Sequence, residues 1–92
     1  MELRVLKYFL AIAKEENMSR AAEILHVTQP TLSKQIKDLE EELGKKLFVR
    51  SNYSMHLTAQ GQILYKRARD IVGLADETVA ELKSMTEPTA VT

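Results

Sequence analysis

The chain contains no cysteine and no tryptophan, only two prolines, three glycines and 5% aromatic residues, and its formal net charge is zero. Without cysteine there is neither a disulfide framework nor a thiolate metal site. So few aromatics leave an aliphatic core, which suits packed helices. No apolar run approaches the roughly 20 residues that span a bilayer, so no membrane partner is expected. The stretch 3–13 has the outline of a secretory leader, with Ala11-Ile12-Ala13 at its end. Lys7 interrupts it and Glu2 spoils a basic start, so an amphipathic helix explains it better. The expectation is a soluble, cytoplasmic protein. His26 and His56 lie far apart with no acidic partner at ligand spacing, so no metal is expected. Ser33 beside Lys34 lacks a glycine elbow or an oxyanion arrangement, so the chain reads as no enzyme and needs no cofactor. Zero net charge argues against a polybasic nucleic-acid glue, but the total hides a segregation. Residues 45–57 hold Lys45, Lys46 and Arg50 and no acid, while acids collect at Glu40–Glu42 and in the last third.

What is present is organised around Thr28 to Gly44. Thr28 is a good N-cap, Pro30 falls in the first turn where its missing N–H costs nothing, and Gly44 can adopt the left-handed conformation past the last turn. Leu32, Ile36, Leu39 and Leu43 form an apolar stripe at helical spacing. The opposite side carries Pro30, Lys34, Lys37 and Glu41, with Ser33 on its flank, so the N-terminal half of that face is small, polar or basic. This suggests a helix that enters a DNA groove by its N-terminal end. Glu40-Glu41-Glu42 reads as a solvated face that repels phosphate from the other end.

Ahead of it, residues 2–16 form a first helix, with Leu3, Leu6, Leu10 and Ala13 on one stripe and Val5, Phe9 and Ile12 beside it. A stripe that broad places the helix in the middle of the domain. Asn17 is expected to end it in the left-handed region, and Ser19 to cap a short helix to Leu25. Ala21-Ala22 lets the next helix pack closely, and His26-Val27 makes the tight link of a helix-turn-helix. After Gly44 the pattern turns extended: Leu47–Arg50 and Met55–Leu57 are short strands around a turn at Ser51–Ser54, anchored by Phe48 and Leu57. Thr58 caps a final helix running to about Met85. Gly61 and Gly73 weaken that helix by about 1 kcal/mol each relative to alanine, which calls for compensation. Leu64, Ala68, Ile71, Ala75, Thr78, Leu82 and Met85 alternate four-three in a heptad seam, and Tyr65, Val72 and Val79 widen it. A helix of about 40 Å is too long to rest wholly on so small a core, so its distal half requires a partner.

These runs carry a resemblance. Arg20-Ala21-Ala22-Glu23 with Leu25, then Val27-Thr28-Gln29-Pro30, Leu32-Ser33-Lys34-Gln35-Ile36, Leu39-Glu40, Leu43-Gly44, Leu47-Phe48-Val49-Arg50, and Leu57-Thr58 with Gly61 stand in the register of LysR-type transcriptional regulators. The resemblance covers residues 1 to about 87. It implies that Gln29, Pro30, Thr31, Ser33 and Lys34 face bases in the major groove of double-stranded DNA. Backbone contacts would come from Thr28, Lys37, Arg50, Asn52, Tyr53 and Ser54. It implies a homodimer through residues 58–87, with the long helices antiparallel and Leu64, Ala68, Ile71, Ala75, Thr78 and Leu82 at the interface. Two substitutions depart from the family pattern: Tyr53 stands where a second arginine is usual, and Gln60 where a small residue is usual. Family members continue into a domain that senses a small-molecule effector, and the chain reads as a fragment lacking it, with a stand-alone DNA-binding module as the alternative.

The expected fold is mainly α: a winged helix-turn-helix of three helices and a two-stranded wing at 1–57, a linker and dimerisation helix at 58–87, and a disordered tail at 88–92. The expected function is sequence-specific DNA binding in transcription regulation, with recognition helix 28–43 in the major groove and wing 47–57 on the backbone. The alternative is a helical protein-interaction module that does not bind DNA, which the neutral charge favours.

Overall fold

The computed structural model describes residues 1–85; the tail expected at 88–92 lies outside them, as do positions 86 and 87 of the linker range. The elements follow in the order α1 (Leu3–Glu15), α2 (Met18–Leu25), α3 (Gln29–Leu43), β1 (Phe48–Ser51), β2 (Ser54–Leu57) and α4 (Ala59–Ser84). This is a winged helix-turn-helix followed by a long helix. α1 lies in its middle, touching α2, α3, α4 and β2. Its deepest residues are Val5, Leu6, Phe9 and Ile12, whereas Leu3, at the head of the expected stripe, is exposed. From the other elements Met18, Ala21, Ala22, Leu32, Ile36, Leu39, Leu47, Phe48, Met55 and Ala68 complete a core with no buried polar residue. The rings of Phe9 and Phe48 meet at 5.3 Å and join the wing to α1.

The first corner differs from expectation by one residue. Glu16, not Asn17, takes the left-handed conformation (φ 55°), and its N–H bonds to the Ile12 carbonyl. Asn17 is extended and caps α2, its side-chain oxygen accepting from the Arg20 N–H at 2.8 Å; Ser19 is not the cap. The asparagine side chain satisfies an open amide of the helix start, which a left-handed Asn17 could not do. Moving the cap two residues earlier, to Asn17, also brings Met18 into α2, where it is buried. The second corner turns on His26 (φ 60°), with the Val27 N–H bonding back to the Ala22 carbonyl at 3.0 Å.

α3 has the ends its sequence requires. The Thr28 hydroxyl oxygen accepts from the Thr31 N–H at 3.2 Å, Pro30 sits in the first turn, and Gly44 closes the helix at φ 69°. Leu32, Ile36 and Leu39 are buried, while Leu43 is 38% exposed where the helix leaves the core. Glu40 departs from the expected solvated row. Its carboxylate turns inward and accepts from the Leu47 N–H at 2.7 Å and the Phe48 N–H at 3.4 Å, and it is close to the Lys46 ammonium.

The hairpin pairs Phe48 with Leu57, Val49 with His56, Arg50 with Met55 and Ser51 with Ser54, so the turn is only Asn52-Tyr53. Ser51 and Ser54, expected in the turn, are paired strand residues because Asn52 accepts the positive φ of 54° that a two-residue turn needs. Leu47 precedes the strand and serves the junction with α4. Its carbonyl accepts from the Thr58 N–H at 3.0 Å, and the Thr58 hydroxyl donates to the Lys46 carbonyl at 2.7 Å while capping Gly61. A Cβ on Gly61 would collide with the Leu47 carbonyl oxygen, so the glycine permits this close approach; around Gly73 the space is open.

The first half of α4 lies along α1, with Ala68 fully buried and Leu64, Tyr65 and Val72 packed on the core. Residues 76–84 of the helix are all exposed. The chain extends 58 × 25 × 19 Å. Its radius of gyration is 16.2 Å, against about 12 Å for a compact chain of this length.

Candidate nucleic-acid interface

The helix-turn-helix brings the N-terminal turns of α2 and α3 to one side of the molecule, and the wing flanks them. Between α3 and the wing runs an open trough lined by Ser33, Lys37, Glu40, Lys46, Val49 and Arg50. It continues past Gln29 toward Asn17, Met18 and Ser19 at the start of α2 and toward Asn52, Tyr53 and Ser54 on the wing. Pro30 and Lys34 stand exposed on the crest of α3, on a shallow face with Gln29, Ser33, Lys37, Asp38 and Glu41.

Two tethers hold the wing over this trough. At its base stands Glu40; at its tip the Met55 N–H donates to the Glu16 carbonyl at 3.0 Å, and the Asn17 amide lies 3.5 Å from the Tyr53 carbonyl. The wing is therefore set before any ligand arrives. Tyr53 at its tip is 91% exposed, so its ring and hydroxyl are offered wholly to solvent. Among the described residues Lys37, Lys45 and Arg50 form no ion pair, whereas Lys34 reaches the Asp38 carboxylate at 3.1 Å. That pair is exposed on both sides and therefore weak. Two helix N-termini, with their open amides and partial positive charge, add to the attraction for an anion.

The candidate residues thus converge unequally. Gln29, Ser33 and Lys37 share the trough with Arg50, Asn52, Tyr53 and Ser54. Thr28 and Thr31 are exposed, but their hydroxyls are joined at 2.8 Å in the helix cap, leaving the Thr31 methyl as its free surface. Asn17, Met18 and Ser19 were not among the DNA-contact residues expected from the sequence. Their presence follows from the cap at Asn17, which carries the start of α2 beside the wing tip. The heptad seam divides: Leu64 and Ala68 belong to the chain's own core, Ala75 is half-buried, and Ile71, Thr78 and Leu82 are exposed. Ile63 and Leu74, each about two-thirds exposed, lie toward the same side of the helix, and Met85, just past its end, is exposed to the same degree. No described helix is long and apolar enough to cross a membrane.

The family model for bacterial regulatory helix-turn-helix proteins of the lysR family matches residues 3–62. The chain belongs to this family. It is similar to the transcriptional regulator BudR of Klebsiella aerogenes, 44% identical over 85 residues that cover 92% of this chain and 59% of BudR. It is likewise similar to BsdA of Bacillus subtilis, 42% identical over 91 residues that cover 98% of this chain and 31% of BsdA. The chain therefore spans less than two thirds of these lysR-family relatives. Among solved structures, it matches the BenM DBD complex with catB site 1 DNA at a TM-score of 0.91 and 37% identity, covering 98% of this chain and 100% of that one. It matches the CbnR DBD–DNA complex at a TM-score of 0.85 and 42% identity, covering 91% and 97%.

Proposed function

We propose that this chain is the sequence-specific DNA-binding and dimerisation module of a transcription regulator acting in the cytoplasm. The first half of α3 enters the major groove, presenting Gln29, Pro30, Thr31, Ser33 and Lys34 to base edges. Thr28, Lys37, Arg50, Asn52, Tyr53 and Ser54 hold the sugar-phosphate backbone. Two copies associate through α4, using the exposed side of Ile71, Thr78 and Leu82 rather than the half-buried Leu64 and the buried Ala68. The observation that carries the reading is the trough itself: a polar helix start and an acid-free wing, tethered on both edges, face the same space. Similarity to chains solved on DNA supports it. The chemistry fits, since Gln pairs with adenine, Lys donates to guanine O6 and N7, and a Thr methyl packs on thymine. No reaction is assigned to the chain.

Titration of a mixed-sequence duplex tests the reading. Raising salt from about 50 to about 200 mM should weaken binding about a hundred-fold or more, because phosphate contacts release counterions. An interaction module that does not use DNA would show no such binding at either salt concentration.

A further inference from the structure

Glu40 opens a run of three glutamates whose other two, Glu41 and Glu42, face solvent, yet its side chain is only 12% exposed. It stands on α3 about two turns after Ser33, at the edge of the trough where phosphate is expected. A free carboxylate there would oppose binding. This one is committed elsewhere: one oxygen accepts from the N–H groups of Leu47 and Phe48, and the other faces the Lys46 ammonium at 3.9 Å. The segment it grips is also the one that Thr58 holds through the carbonyls of Lys46 and Leu47. Arg50 follows Phe48 by two strand residues, about 7 Å along β1. The recognition helix, the root of the wing and the start of α4 are therefore joined at three consecutive residues.

We propose that Glu40 is a positioning residue for DNA binding: its carboxylate fixes the wing root to α3 and so sets Arg50 at phosphate distance from the recognition helix. The inference rests on the DNA-binding reading above. It predicts a sign opposite to that of simple electrostatics. Removing an acid beside phosphate would ordinarily strengthen binding, but removing this one releases the wing and weakens it. A purely structural role differs again, since it lowers the folded fraction without changing the salt slope of the folded molecules.

The test measures affinity for a fluorescent mixed-sequence duplex across a salt series, with circular dichroism to fix the folded fraction. Glu40→Ala should bind about ten-fold more weakly at low salt and show a slope smaller by about one phosphate contact, as Arg50→Ala does. In the double variant the two effects should not add, because Glu40 acts through Arg50. Glu40→Gln keeps an acceptor for the two N–H groups and should keep most of the wild-type slope. If Glu40→Ala does not fold, Glu40→Asp is read the same way, since it keeps the charge but is too short to reach both amides. A folded Glu40→Ala or Glu40→Asp with an unchanged slope, or with tighter binding, overturns the proposal while the DNA reading stands. A wild-type chain with no salt-dependent binding removes both.

Discussion

The wing and the distal half of α4 both leave the core, but they are supported in opposite ways. The wing is ten residues, and it is pinned by Phe48 and Met55 in the core, by Glu40 and Thr58 at its root and by Glu16 and Asn17 toward its tip. Beyond Asp76, which comes within 4.0 Å of Lys7 on α1, α4 has only exposed residues, with Val79 and Leu82 large and apolar among them and the exposed Met85 just past its end. A surface held rigid by backbone hydrogen bonds needs no partner to acquire its shape, so it suits a ligand of fixed geometry such as a duplex. An apolar helix that continues past its own core buries its side chains only when another chain arrives. The wing and α4 meet at Thr58 and Gly61, where the wing root lies against the start of the helix.

The sharpest way to break this arrangement is therefore at the junction. Gly61→Ala places a Cβ into the Leu47 carbonyl oxygen, which is backbone and cannot swing aside. Unfolding in urea should show a loss of about 3 kcal/mol, at the upper end for an overpacked site. Gly73→Ala in the same helix should instead stabilise by about 1 kcal/mol, because its Cβ meets nothing and alanine is the better helix former. Equal effects at the two glycines would mean that the wing root and α4 do not depend on their close approach.

The second test separates the two halves of the heptad seam. Leu82→Glu adds a charge to a side chain that is 64% exposed in the single chain, so monomer stability should shift by less than about 0.5 kcal/mol. Dimer dissociation, followed by sedimentation equilibrium, should become easier by about 2 kcal/mol, the cost of losing an interface anchor. An unchanged dissociation constant would show that the exposed side of α4 is not where copies meet.

How far the sequence was legible follows the same division. The ends of α3 were readable because Thr28, Pro30 and Gly44 act through local chemistry, and so was the cap at Thr58. The heptad spacing correctly marked one long helix. It could not tell which rows face α1 and which face solvent, because both kinds of packing use the same apolar residues at the same period. Ala68 is spent within the chain for that reason. Glu40 was hidden differently: in a run of three glutamates nothing local shows that one turns inward. Its partners are amides seven and eight residues away, which come within reach only after the chain reverses at Gly44. The one-residue shift at Glu16 and Asn17 is of the same kind. Asparagine suits both the left-handed position and the cap, and the Met55 amide waiting for the Glu16 carbonyl favours the second.

The smallest expected effect asks whether the crest of α3 is prepared for its ligand as the wing is. Lys34 is paired with Asp38 one turn later, with side-chain exposures of 74% and 52%. The order lysine then acid is the less favourable one along a helix, and exposed pairs contribute little. Asp38→Asn should therefore move stability by less than about 0.5 kcal/mol. It removes a negative charge from the face that meets phosphate and releases the ammonium, so duplex affinity at low salt should rise about three-fold, and less at high salt. Unchanged affinity would place Lys34 away from the nucleic acid. A fall would show that Asp38 aims Lys34 instead of holding it back, and the crest would then be as fixed in advance as the wing.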